Sequence, residues 1–304
     1  MLPALDYLAW AQRHYLDLRL DLASSGLATL PAAELGPTPP LDDWKALVRF
    51  RDAVAARFAL PSDEVTPVLG AAGGIFAVYR ALLDPGDEVV VEQPTYEPLI
   101  RVAEGLGLRV RRFARGRAQG YALDPDLVEA ALSPATRAVV LTDLHNPSGV
   151  AVDPAALATL AARLDRRGIL VIVDEVYAGL VDVARAARHL GPNVVSFGSL
   201  TKSLGLGWAR AGFVLGPPAA VAAIEEVTRH LCGTLPPALA ASGVQALAQL
   251  PALDARRRRL QHGKRAVVDA WIARHPALSW HPPHPESLFG FVHDARGLDL
   301  RPAL

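Results

Sequence analysis

The sequence predicts an α/β fold, with a mostly parallel central sheet and helices on both faces. Two observations carry that reading. Short β-branched runs recur along the chain, with longer Ala- and Leu-rich segments between them. Most of the runs are also largely apolar, as strands covered on both faces are, rather than alternating. With 304 residues, 51% of them hydrophobic, and a mean hydropathy of +0.21, there is ample material for a large buried core.

In chain order, strands are predicted at 88–91 (EVVV), 109–112, 138–141 (AVVL), 169–173 (ILVIV), 194–197 (VVSF) and 212–215. Helices are predicted at 74–83, 95–106, 124–132 and 153–167. Turn chemistry marks the joins at 84–87 (DPGD), 146–149 (NPSG) and 191–193 (GPN). Asp153 followed by Pro154 reads as a helix cap with proline at the first helical position. Residues 252–275 read as one long amphipathic helix, followed by a Pro- and His-rich stretch and a strand-like run, SLFGFV. The expected organisation is a large domain at 36–255 and a small α+β domain made of 1–35 and 256–304.

Lys+Arg and Asp+Glu number 31 each, so no electrostatic footprint of a nucleic-acid binder is present. The basic run Arg256 to Arg259 reads as an exposed helix face. A single cysteine, Cys232, rules out an intrachain disulfide framework and fits a reducing compartment. The first residues lack a signal-peptide pattern, and no apolar run reaches the roughly 18 residues of a spanning helix. A cytoplasmic protein without membrane or metal partners is the expectation.

In open α/β sheets, ligands bind at the carboxyl ends of strands. Asn146 lies shortly after one predicted strand and Asp174 directly after another, with Tyr177 three residues on. Ser199 and Lys202 follow VVSFG, and Arg210 lies eight residues beyond the lysine. Upstream, Gly70 to Gly74 (GAAGG) opens a helix whose free amides favour an anion, and Tyr96 follows EVVVEQP. Taken singly, these residues have plainer readings: a surface lysine, a helix cap, a turn, core packing. Together they suit pyridoxal phosphate (PLP). A lysine forms the imine, a carboxylate keeps the ring nitrogen protonated, and amides with an arginine fork grip a phosphate.

Four blocks then carry a resemblance: LGAAGGIFAVYRALLDPGDEVVVEQPTYEP, LTDLHNPSGV, VIVDEVYAGL and SLTKSLGLGWARAGF. In their order and spacing they resemble the class I/II aminotransferases of the fold-type-I PLP enzymes, over nearly the whole chain. The resemblance implies Lys202 as Schiff-base lysine and proton carrier, with Asp174 on the pyridine nitrogen. It implies Tyr177 and Asn146 on the ring oxygen and Tyr96 stacked on the ring. Ser199, Arg210 and the amides of Ala71 and Ala72 would hold the phosphate. The backbone of Gly26, in LASSGL, would lie near the substrate carboxylate, and Asn146 would also contact the substrate. His145, beside Asn146, is expected to pack rather than act as a base.

The sequence departs from the family pattern in three places. Position 72 is Ala where relatives commonly have Thr or Ser. No tyrosine precedes the first large-domain helix, in LGPTPPLDDWKALVRFRDAVAARF. Relatives also continue past the strand that SLFGFV resembles, into further small-domain structure and an arginine for the substrate carboxylate. The expectation is therefore an incomplete small domain, with Arg301 not assigned that role. The resemblance implies a homodimeric aminotransferase acting on an L-amino acid and a 2-oxo acid. Alternatives on the same scaffold are a β-lyase, cyclase, decarboxylase or oxidase, or a cofactor-binding protein without turnover.

Overall fold

A computed structural model describes residues 3–14, 19, 21–177 and 179–297; Arg301 lies outside the described residues. The chain begins with helices α1 (Asp6–His14), α2 (Ala32–Leu35) and α3 (Ala46–Phe58). Strand β1 (Val65–Leu69) leads directly into α4 (Gly70–Leu82). Alternation follows: β2 (Glu88–Gln93), α5 (Pro98–Gly105), β3 (Arg109–Ala114), α6 (Pro125–Ala131), β4 (Thr136–Thr142), α7 (Pro154–Asp165) and β5 (Leu170–Asp174). Next come β6 (Val194–Ser199), the short α8 (Thr201–Leu204) and β7 (Ala211–Leu215). Helices α9 (Pro218–Cys232), α10 (Pro237–Ala248), α11 (Leu250–Gln261) and α12 (Lys264–Ala273) precede a hairpin-like pair, β8 (Leu278–Trp280) and β9 (Val292–Asp294).

Among the described residues the main sheet has seven strands in the order β1-β7-β6-β5-β4-β2-β3. Only β7 runs against its neighbours. The apolar runs are buried on both faces, and alternate residues divide between two cores. Val89, Val91, Val140, Ile172 and Val195 pack with Ile75 and Val78 of α4, Leu99 of α5 and Ile224 of α9. Val90, Val139, Leu141, Val171, Val173 and Val194 pack with Val128 of α6 and Leu157, Leu160 and Leu164 of α7. A third core joins Phe50, Val54 and Phe58 of α3 to Leu239 and Ala240 of α10 and to Phe213 of β7. Asp153 caps α7 as the sequence predicts, and Asp124 caps α6 in the same way.

The structure differs from the sequence reading in four places. β1 is an additional strand; its Pro67 hides the pattern but is tolerated because β1 lies at the sheet edge. The long helix at 252–275 is broken between α11 and α12, where Gly263 takes φ +72°. SLFGFV is mostly loop, because the Ser287 hydroxyl donates to Phe289 O (2.7 Å) and accepts from Phe289 N (3.3 Å). The arginine run is only partly an exposed face. Arg257 is buried against Asp254, Gln261 and Glu286, and Arg256 donates to the carbonyls of Ala28 (3.0 Å) and Thr29 (3.2 Å).

Close packing between α3 and α10 depends on Gly243, where a Cβ would lie 2.5 Å from the fully buried Phe50 ring. Gly243→Ala is expected to lose about 1–3 kcal/mol to overpacking, of which the gain in helix propensity returns at most about 1 kcal/mol. A urea melt showing a lower midpoint at unchanged slope checks this.

Candidate active site

The polar side chains named from the sequence gather where β4, β5 and β6 end. Asp174 is the last residue of β5, in register with Thr142 of β4 and Phe197 of β6. It is buried, and Oδ1 accepts from the Val176 amide at 3.1 Å. Burial pushes its pKa up to about 7; the Val176 amide and Lys202 oppose the shift, and Glu92 adds to it. Lys202 stands on α8, just past β6, and burial draws its pKa down against the pull of Asp174. Asn146 Nδ2 donates to the Tyr177 hydroxyl at 3.1 Å, and the Tyr177 ring packs against Phe289 at 4.5 Å between centroids.

A second group of residues surrounds the start of α4. That helix has no side-chain cap, which leaves its first amides, including those of Ala71 and Ala72, directed at one spot. Ser199 ends β6 in register with Gly212, and a Cβ at Gly212 would lie 2.7 Å from the Gly70 backbone. A Cβ at Gly70 would in turn lie 2.5 Å from Arg210 Nη2. Ser199, Arg210 and the α4 amides therefore surround one tight turn. The set consists of amides, a hydroxyl and a guanidinium, which is the chemistry of an anion site. The buried carboxylate, the lysine amine and this anion cradle fit the ring nitrogen, the aldehyde and the phosphate of PLP. Tyr96, between β2 and α5, meets the Tyr7 ring edge-on at 6.3 Å.

Gly26 lies beside Lys202: its added Cβ would sit 3.4 Å from Lys202 Cδ, and the Leu27 amide donates to the Lys202 carbonyl at 2.9 Å. The neighbouring Ser25, which the sequence does not single out, touches the lysine directly. Its Oγ accepts from Lys202 Nζ at 3.1 Å and from the Tyr177 hydroxyl at 3.0 Å. Also unsignalled is a fully buried ion pair, Glu92–Arg115, at 2.8 Å. Glu92 Oε1 accepts from Thr142 N (2.8 Å) and Thr142 Oγ1 (2.6 Å), and Thr142 Oγ1 accepts from Asn146 N (2.8 Å). A charge closing the apolar run of Val89 to Val91 was the available signal for Glu92.

His145 is fully buried. Its Nε2 faces the Pro94 carbonyl at 3.0 Å and so carries the hydrogen, leaving Nδ1 to accept from Ser148 at 2.7 Å. Burial pushes its pKa down to about 4, which fits a neutral packing role. Among the described residues there is no cluster of three or more His, Cys, Asp or Glu placed to hold a metal. No described helix is long and apolar enough to cross a membrane.

Without cofactor, the raised pKa of Asp174 makes the folded state bind a proton that the unfolded state releases at lower pH. Stability is then expected to fall as pH rises from 3.8 to about 7, with Glu175, also pushed up to about 7 by burial, contributing in the same direction. Asp174→Asn should flatten that fall in the apoprotein, read from urea melts across this range.

A family model for aminotransferases of class I and II matches residues 31–289. Capreomycidine synthase from Streptomyces vinaceus is 31% identical over 292 residues, covering 90% of this chain and 75% of that protein. The arginine–pyruvate transaminase AruH from Pseudomonas aeruginosa is 31% identical over 230 residues, covering 72% of this chain and 57% of its own length. Among solved structures, a PLP-dependent aminotransferase from Streptococcus suis shares the fold, with TM-score 0.86 at 21% identity over 97% of this chain and 83% of that one. The PLP-dependent cyclase OrfR superposes with TM-score 0.77 at 27% identity, covering 91% of this chain and 77% of its own. The family match runs through α4, Asp174 and Lys202 alike, and the chain belongs to the class I and II aminotransferases, a family whose cofactor is pyridoxal phosphate.

Proposed function

We propose that the protein moves an amino group between an L-amino acid and a 2-oxo acid, with Lys202 as the lysine that carries PLP. The observation behind this reading is that a buried Asp174 ends β5 while Lys202 stands just past the adjoining β6, close enough for each to act on the other's charge. Bound there, PLP supplies an electron sink for the pair left when a bond to the substrate α-carbon breaks. Lowered basicity leaves more of the Lys202 amine neutral, as a nucleophile and a proton carrier require. Asp174 would hold a proton on the ring nitrogen, because a desolvated carboxylate is stabilised by a cation beside it. Tyr177 and Asn146 would hold the ring oxygen, and Tyr96 would stack on the ring. Ser199, Arg210 and the amides of Ala71 and Ala72 would grip the phosphate. The Gly26 backbone would face the substrate carboxylate, and Asn146 would also contact the substrate.

The division into a large domain at 36–255 and a small one at 1–35 and 256–304 belongs to the same proposal. It is supported by the main sheet falling within 65–215 and the β8–β9 pair within the second unit. A homodimer is supported by the exposed Leu41, Trp44 and Val48, an apolar surface that a second subunit would cover.

A second reading, cyclisation on the same lysine, is favoured by the likeness to the PLP-dependent cyclase OrfR, which matches more of this chain than AruH does, 91% against 72%. Incubating the loaded enzyme with a panel of L-amino acids separates the two. Transamination predicts stoichiometric loss of the visible band, with the amine form of the cofactor and a 2-oxo acid as products. A ring product, with the visible band regenerated, supports cyclisation instead. Lys202→Ala should show no visible band and no turnover. Arg210→Ala should weaken cofactor binding roughly 10- to 100-fold, measured by equilibrium dialysis.

A further inference from the structure

Ser25 lies on a strap, residues 21–30, whose register against the lysine segment is fixed by the backbone. Leu27 N donates to Lys202 O and Leu30 N donates to Gly205 O, both at 2.9 Å. Side chains fasten the same strap from outside: Trp208 Nε1 donates to Leu30 O at 2.8 Å, and Arg256 holds the Ala28 and Thr29 carbonyls. Two residues before the first of those backbone bonds, the Ser25 hydroxyl meets both Lys202 and Tyr177.

The directions of these bonds follow from donor chemistry. The Asn146 amide nitrogen only donates, so the Tyr177 oxygen accepts from it and the Tyr177 hydrogen goes to Ser25. Lys202 Nζ also donates to Ser25. Both lone pairs of the serine are thereby used, one by each group. We propose that Ser25 is a positioning residue of the active site: its hydroxyl holds the Lys202 amine and the Tyr177 phenol in one fixed relation, tying both to the N-terminal strap. This rests on the reading of Lys202 as the cofactor lysine.

The charged groups acting on Lys202 are Asp174 from β5, Arg210 ahead of β7 and Asp21 from the strap. None of them is altered by changing Ser25, so a serine effect is separable from theirs. An acceptor beside the lysine nitrogen favours its protonated form. Freeing Tyr177 to donate elsewhere in the site acts in the same direction as losing that acceptor.

The test is a pH titration of the visible band in the holoenzyme, compared among wild type, Ser25→Ala and Ser25→Thr. Ser25→Ala should move the spectral midpoint down by about half to one pH unit, the size of one lost hydrogen bond. Ser25→Thr, which keeps the hydroxyl, should titrate near the wild type. If Ser25→Ala titrates with the wild type, or Ser25→Thr moves as far as Ser25→Ala, the positioning role is overturned while Lys202 stands. If the wild type shows no visible band with added PLP, the reading of Lys202 fails and the inference with it.

Discussion

A carboxylate buried at the middle of the sheet is the constraint around which the site is arranged. Asp174 ends β5, the fourth of the seven strands, and its neighbours in the ladder are themselves buried. Water cannot solvate it, and the apolar strands on either side offer it nothing. Stabilisation of its charge therefore has to come from above the strand ends, where the Val176 amide and the Lys202 amine provide part of it. The result is a carboxylate whose pKa burial pushes up to about 7, poised between its two forms. A bound cation would tip it to the ionised state, and binding such a cation relieves a penalty already built into the fold.

Around that centre a chain of hydrogen bonds reaches across the site. Arg115 pairs with Glu92, Glu92 accepts from Thr142, and Thr142 accepts from the Asn146 backbone. The Asn146 side chain donates to Tyr177, Tyr177 donates to Ser25, and Lys202 donates to Ser25 as well. Strands β2 and β4, the NPSG turn, the segment after β5 and the N-terminal strap are thus joined by polar contacts rather than by packing alone. Breaking such a chain at a buried member leaves a desolvated group without its partner, which is far more damaging than loss of an exposed bond. Glu92–Arg115 is the extreme case, since neither side chain is exposed and removal of one member would strand the charge of the other.

The part of the site carried by short, contiguous motifs was legible in the sequence. Asp174 and Tyr177 are three residues apart after a strand, and Lys202 and Arg210 flank one turn, so local spacing alone suggests a common destination. The strands buried on both faces were legible for the same reason, because they leave uninterrupted apolar runs, whereas β1, interrupted by Pro67, was not. Ser25 was not legible, because its role depends on a backbone register between residues 27 and 202 that no local pattern encodes. Glu92 and Arg115 lie 23 positions apart and meet through the pairing of β2 with β3, whose ladder ends with the Arg115 amide donating to the Gln93 carbonyl. Arg257 looked like one more member of a solvated run, yet its helix turns it inward toward Glu286. Periodicity gives a helix face; which neighbour covers that face is a tertiary matter.

Gly205 links the lysine to the strap more tightly than its small size suggests. It follows α8 directly and takes φ +73°, the left-handed conformation that ends a helix at low cost only for glycine. By turning the chain there, it holds the Lys202 helix to a single turn and sends the backbone back toward β7. The same residue has no side chain where the strap passes: a Cβ would run into the Ala28 carbonyl oxygen. Its own carbonyl receives the Leu30 amide that fixes the strap's register. The conformation that stops the helix and the space that admits the strap are thus requirements on one residue. A larger residue there would disturb both the presentation of the Lys202 amine and the approach of the Ser25 hydroxyl. The lysine and the strap are therefore held as one unit, and the chemistry at Nζ is coupled to the N-terminal segment through the backbone as well as through the serine.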